Sequence, residues 1–146
     1  VPQSNFEGIA MQDPFESAEA VVKKLKQAHC NLIICLSHLG YQYEDKTKPS
    51  DVLLAQKVSG IDLILGGHTH TFMDGPTKVI KPAGHSTWIH QVGWAGVRLG
   101  AIEVTEKKFN FLQKINQSFC CLYLIFWILY LYLVLDSNHE CGCTLV

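Results

Sequence analysis

The sequence predicts an α/β fold, and three observations carry that prediction. Two aliphatic runs, residues 32–36 and 61–65, are apolar on both alternating faces, as strands of a parallel sheet covered on both sides are. Each run follows a stretch whose apolar residues recur at helical spacing. Beyond them come shorter stretches that alternate apolar with polar positions, the pattern of half-buried strands.

The elements follow in order. Asp13-Pro14 opens a helix, with the aspartate as its cap and the proline at its first position. Ala18, Val21, Val22, Leu25 and Ala28 then give an amphipathic helix from residue 14 to about 29. After the first aliphatic run, residues 41–48 are polar and loop-like. Ser50 or Asp51 caps a second helix that carries Val52, Leu53, Ala55 and Val58 and stops at Gly60. The second aliphatic run follows. Asp74-Gly75-Pro76 is a turn, and residues 77–80, 87–92 and 99–105 read as short antiparallel strands.

Strand, helix, strand with short connections implies a right-handed crossover and a parallel pair. Both carboxyl ends of such a pair lie on one edge of the sheet, where open α/β folds bind ligands. His38 follows the first run by two residues and His68 follows the second by three, with His70 just beyond. Three histidines with glycines beside them therefore converge on one rim. Imidazole stays neutral near pH 7 and binds zinc, manganese or iron through one ring nitrogen. Carboxylates are expected to complete such a site, yet Glu44, Asp45, Asp62 and Asp74 are not placed to do so.

Composition narrows the function classes. Twelve basic and thirteen acidic residues leave a formal charge of −1. Without a basic stripe the chain offers nothing to nucleic acid. The length of 146 residues suits one domain. The chain begins at Val1 with neither an initiator methionine nor a charged-then-apolar leader, which reads as a processed product or a fragment. Of the six cysteines, Cys30 and Cys35 sit in or beside apolar runs and read as small buried hydrophobes. The tract around Cys141 and Cys143 is too short to read as a metal site.

The soluble pattern stops near Lys108, so residues 1–107 read as one unit and 108–146 as an apolar tail. Residues 119–135 are seventeen positions without one charge. As a helix they would rise about 25 Å, near the lower limit for a membrane span. A membrane anchor, a buried or associating helix and a non-native extension are the open readings.

The segment Ser37-His38-Leu39-Gly40, followed by a helix and then Gly66-Gly67-His68-Thr69-His70, resembles the later motifs of the calcineurin-like metallophosphoesterases. Within that superfamily the bacterial 5′-nucleotidase and UDP-sugar hydrolase branch is the most similar, and Gln91-Val92-Gly93-Trp94-Ala95-Gly96 belongs to the resemblance. The resemblance implies a β-sandwich flanked by helices, here in part, with an apolar helical tail attached. It implies two divalent metals (zinc, manganese, cobalt or iron), with His38 and His68 on one and His70 on the other. It further implies hydrolysis of a nucleotide or related phosphate ester, in the periplasm, cell envelope or outside the cell. The family's earlier motifs, an Asp-x-His, a Gly-Asp and a Gly-Asn-His-Glu, do not occur here. The chain thus looks like the second half of a catalytic domain, and no catalytic residue beyond the ligands is assigned. Alone it is expected to turn over hardly at all. The competing reading is a non-catalytic, membrane-anchored or metal-binding remnant.

Other residues read as structural. His85 and His90 are expected to be satisfied or exposed, Trp88 and Trp94 to belong to the core, and Gly93, Gly96 and Gly100 to serve close sheet packing. Tyr41, next to the His38 loop, could line a substrate pocket.

Overall fold

The computed structural model describes residues 7–115 apart from Ala83, Glu106 and Lys107, with side chains described as far as Val104. Helix α1 spans Pro14–Gln27. The Asp13 carboxylate accepts hydrogen bonds from the amides of Phe15 (2.8 Å) and Glu16 (2.9 Å), satisfying two of the donors a helix start leaves open. Lys24 and Lys26 in the last turn suit the negative end of the helix dipole. Strand β1, Ile34–Leu36, follows.

Helix α2 spans Asp51–Lys57, with Ser50 as its cap accepting from the Leu53 amide at 3.3 Å. Strand β2 is Leu63–Leu65, β3 is Thr77–Ile80 and β4 is Ser86–His90. Strands β5, Arg98–Thr105, and β6, Lys108–Ile115, close the described part.

The main sheet has the order β1-β2-β4-β3. The first two strands are parallel neighbours, with Leu36 opposite Leu65. Asp62 fixes that register, because its carboxylate accepts from the Ile33 amide at 2.8 Å. The later strands differ from expectation. Strand β4 runs parallel to β2, with Leu65 opposite His90, and is antiparallel only to β3. The cause is the tight turn from Lys81 to His85, closed by the Lys81 amide on the His85 carbonyl at 2.9 Å. That turn reverses the chain beside β3 and sends β4 back along β2.

The two faces of this sheet are covered differently. On one, Ile33, Ile64 and Ile89 pack against Val22 of α1 and Leu54, Ala55 and Val58 of α2 or its end. On the other, Ile34 and Leu63 meet Ile102 of β5, with Trp88 and Val104 alongside. Strands β5 and β6 form a separate antiparallel pair. The result is a helix layer, a mixed sheet and a second sheet, an α/β sandwich as expected.

The domain boundary drawn at residue 107 falls in the connection between β5 and β6. Residues 108–115, read as the start of an apolar tail, instead pair along the whole length of β5. Phe109, Phe111 and Ile115 alternate with Lys108, Asn110 and Lys114, a two-residue period broken at Leu112 and Gln113. The run 119–135 lies outside the described residues. Among the described residues, no helix is long and apolar enough to cross a membrane.

Candidate metal centre

The carboxyl ends of β1, β2 and β4 share one edge, and the loops leaving β1 and β2 carry the candidate ligands. Ser37 leaves β1 with its amide still bonded to the Leu65 carbonyl at 2.9 Å. His38, one residue on, stands exposed at the rim. Gly66 leaves β2 with its amide on the His90 carbonyl at 3.0 Å, so the three strand ends stay in step. Gly67 then lies against His38, where an added Cβ would come 3.1 Å from Nδ1. The glycine lets the second loop settle beside the first.

His38 and His68 meet edge to face, with ring centroids 5.2 Å apart and planes at 73°. Two imidazoles on one ion, each with its nitrogen about 2.0–2.1 Å away at a tetrahedral angle, have ring centres roughly 5 Å apart. The pair therefore fits part of a metal's ligand set. His70 takes a different neighbour, stacking on Trp94 with centroids 5.8 Å apart and planes 14° apart. Among the described residues, no three His, Cys, Asp or Glu side chains gather into a metal-holding group. Of the three histidines read at this rim, His38 and His68 stand side by side, and His70, on the same loop as His68, is turned to the tryptophan.

The backbone of this loop is under strain. His68 and His70 have φ of 73° and 53°, in the left-handed region that costs a side-chain-bearing residue on the order of 1–2 kcal/mol. Such strain concentrates at functional sites.

Beneath the rim lies a buried polar network. Asp51, fully buried in the first turn of α2, accepts from the Ser37 hydroxyl through Oδ1 and from Gln91 Nε2 through Oδ2 at 3.0 Å. Gln91 Nε2 also donates to the Gly67 carbonyl at 3.1 Å. Its Oε1 accepts from the Thr71 amide and the Thr69 hydroxyl, both at 3.3 Å. Burial raises the Asp51 pKa, opposed by the hydrogen bonds from Ser37 and Gln91 and by the charge of His38. Burial, and then the Asp51 carboxylate, push the Cys35 thiol up to about 11, which suits an inert packing cysteine.

Sequence reasoning gave Asp51 only a capping role and Gln91 only a place in the segment that carries the resemblance. Ser50 is the cap of α2, which leaves the Asp51 carboxylate free to turn to Ser37 and Gln91. Gln91 shares strand parity with Thr87 and Ile89, the buried face of β4, and that parity is the signal that could have found it.

The discounted residues fall mostly as read. His85 Nε2 lies 3.0 Å from the Ile61 carbonyl, and His90 is buried, which lowers its pKa. Tyr41 is half-buried, packs against the helix-side core and pairs its hydroxyl with that of Thr77 at 2.8 Å. Asp74 is exposed and bridges to Arg98 at 3.2 Å. Trp94 departs from expectation: it is 55% exposed and not part of the core. Positive φ at Gly93, Ala95 and Gly96 turns the chain sharply around it and lifts the indole onto His70.

No family model matches the chain. Individual proteins do. Over 113 residues, 71% of the chain, it is 33% identical to the trifunctional nucleotide phosphoesterase protein YfkN of Bacillus subtilis (strain 168), of which it spans 7%. Over 84 residues, 56% of the chain, it is 37% identical to the 5′-nucleotidase of Rattus norvegicus, spanning 13% of that protein. The crystal structure of the 5′-nucleotidase precursor from Thermus thermophilus superposes with a TM-score of 0.60 at 28% identity, over 73% of this chain and 23% of that one.

An α/β sandwich with paired histidines at its strand ends, matched in this way, is part of a metallophosphoesterase-family domain. Within that family the chain is a relative of the 5′-nucleotidases and of YfkN.

Proposed function

We propose that the chain forms one side of a metal-dependent phosphoric ester hydrolase acting on nucleotides. The observation that carries the proposal is the edge-to-face pairing of His38 and His68 on adjacent parallel strand ends. In this reading those two histidines hold one divalent ion (zinc, manganese, cobalt or iron), and His70 serves a second after leaving Trp94. Such ions, when bound, would supply positive charge for the phosphoryl oxygens and acidify the attacking water. The chain's own part is to present neutral imidazoles on glycine-lined loops that a phosphate can approach closely.

Neutral imidazoles bring no negative charge to offset two divalent ions, so carboxylates from outside the described residues complete the site. The full activity therefore needs more than these loops. A precursor among the relatives supports an exported setting, periplasmic, envelope-bound or extracellular.

The test is complementation. The chain alone should hydrolyse AMP near background. Joined to the first half of the Thermus thermophilus 5′-nucleotidase catalytic domain, it should turn over with manganese, zinc or cobalt, and His68→Ala should abolish that turnover. Activity indifferent to both His38→Ala and His68→Ala would sink the proposal. Metal binding through these histidines without any turnover in the joined protein would favour the remnant reading.

A further inference from the structure

The buried network under the rim has an organisation that packing alone does not require. His38 lies between Ser37, whose hydroxyl donates to Asp51, and Gly40, whose carbonyl accepts from the Asp51 amide at 2.8 Å. His68 lies between Gly67, whose carbonyl accepts from Gln91 Nε2, and Thr69, whose hydroxyl reaches Gln91 Oε1. His70 lies between that same Thr69 and Thr71, whose amide donates to Gln91 Oε1. Asp51 and Gln91 are bonded to each other and are 0% and 2% exposed. Each candidate ligand is thus flanked, on both sides in sequence, by a group held by one of these two buried residues.

We infer that Asp51 and Gln91 together form the positioning unit of the three histidines, setting the spacing of the His38 loop against the loop of His68 and His70. Neither side chain is a ligand. A buried carboxylate is costly unless its oxygens are hydrogen-bonded, and a hydrophobic pair would fill the same space at less cost. What a hydrophobic pair would lose is direction. Asp51 Oδ1 and Oδ2 point one way to Ser37 and the other to Gln91, and the Gln91 amide splits again between Gly67 and Thr71. Two rotamers, locked in the core, are enough to fix three loop positions.

Swapping the two head groups tests this. Asp51→Asn leaves one acceptor oxygen for two donors, the Ser37 hydroxyl and the Gln91 amide nitrogen, and Gln91→Glu places two carboxylates together. In the double variant the new amide at position 51 donates to the new carboxylate at position 91, which restores the central bond though not the one to Gly67. The first readout needs no metal: ring-proton NOEs between His38 and His68 in the full chain. They should be present in the parent, lost in each single variant and regained in the double. The second is cobalt or zinc affinity by chelator competition, which rests on the ligand reading above. Losses of roughly tenfold to a hundredfold are expected for the single variants, in the range found when groups behind a metal's ligands are removed, with substantial recovery in the double. Urea unfolding establishes that each variant is folded. If Asp51→Asn does not fold, Ser37→Ala cuts the His38 arm alone and should weaken the same NOEs. Folded single variants with the parent's NOEs overturn the inference, as do losses that the double variant deepens. A parent with these NOEs but no metal affinity would instead count against the proposed function and leave the positioning role standing.

Discussion

His70 stacks its imidazole on Trp94, with the planes 14° apart, and the indole stays 55% exposed. An aromatic side chain in that position holds a neighbour without supporting the core. Trp94→Ala is therefore expected to cost less than about 1 kcal/mol in urea unfolding, as surface substitutions do. Ile89→Ala, in a fully buried position of β4, should cost about 2–5 kcal/mol. Comparable losses for the two variants would return Trp94 to the core.

The strained loop separates ligand chemistry from stability. His68 is exposed and holds φ of 73°, so its side chain contributes little burial and forces an unfavourable backbone. His68→Gly should keep the unfolding midpoint or raise stability by about 1 kcal/mol, while metal affinity falls at least tenfold. A clear loss of stability would mean that the ring contact with His38 outweighs the strain.

These two cases show where the sequence was legible. Periodicity and caps located both helices, and the aliphatic runs located the parallel pair, because burial on two faces leaves a direct trace in composition. The positions of His38 and His68 at one rim followed from strand direction alone. What could not be read was long-range. The pairing of β4 with β2 depends on a turn geometry, and the Asp51–Gln91 bond joins residues forty positions apart. Trp94 was read as core because its type favours burial, whereas the positive φ around it is a property of the folded turn.

Gly66 is constrained by space and not by backbone angle. A Cβ there would run into Asp51 Oδ2, and it would come 2.7 Å from Gln91 Nε2. Gly66→Ala must displace the buried pair, and overpacking of this kind costs about 1–3 kcal/mol. Gly75→Ala meets nothing nearby and provides the control. Equal thermal midpoints for the two variants would show that the network yields more readily than its burial suggests.

The buried His90 gives the chain a pH dependence of defined sign. Burial lowers its pKa from the ordinary 6.5, so the unfolded chain takes up a proton before the folded one does. Above that ordinary value both states are neutral at this residue and it contributes no slope. As pH falls from about 6.5 towards the lower folded value, the unfolded state binds more protons, and stability is lost. His90→Phe removes the titration while keeping a ring in the space beside Gly100, whose added Cβ would lie 3.9 Å from the imidazole. Unfolding free energies measured from about pH 7.5 down to about 5, a window that brackets the ordinary histidine value, should fall less steeply for the variant than for the parent, whatever the offset between them at the upper end. Parallel curves would show that His90 keeps its ordinary affinity for the proton in the fold, and a steeper variant curve would give the shift the opposite sign.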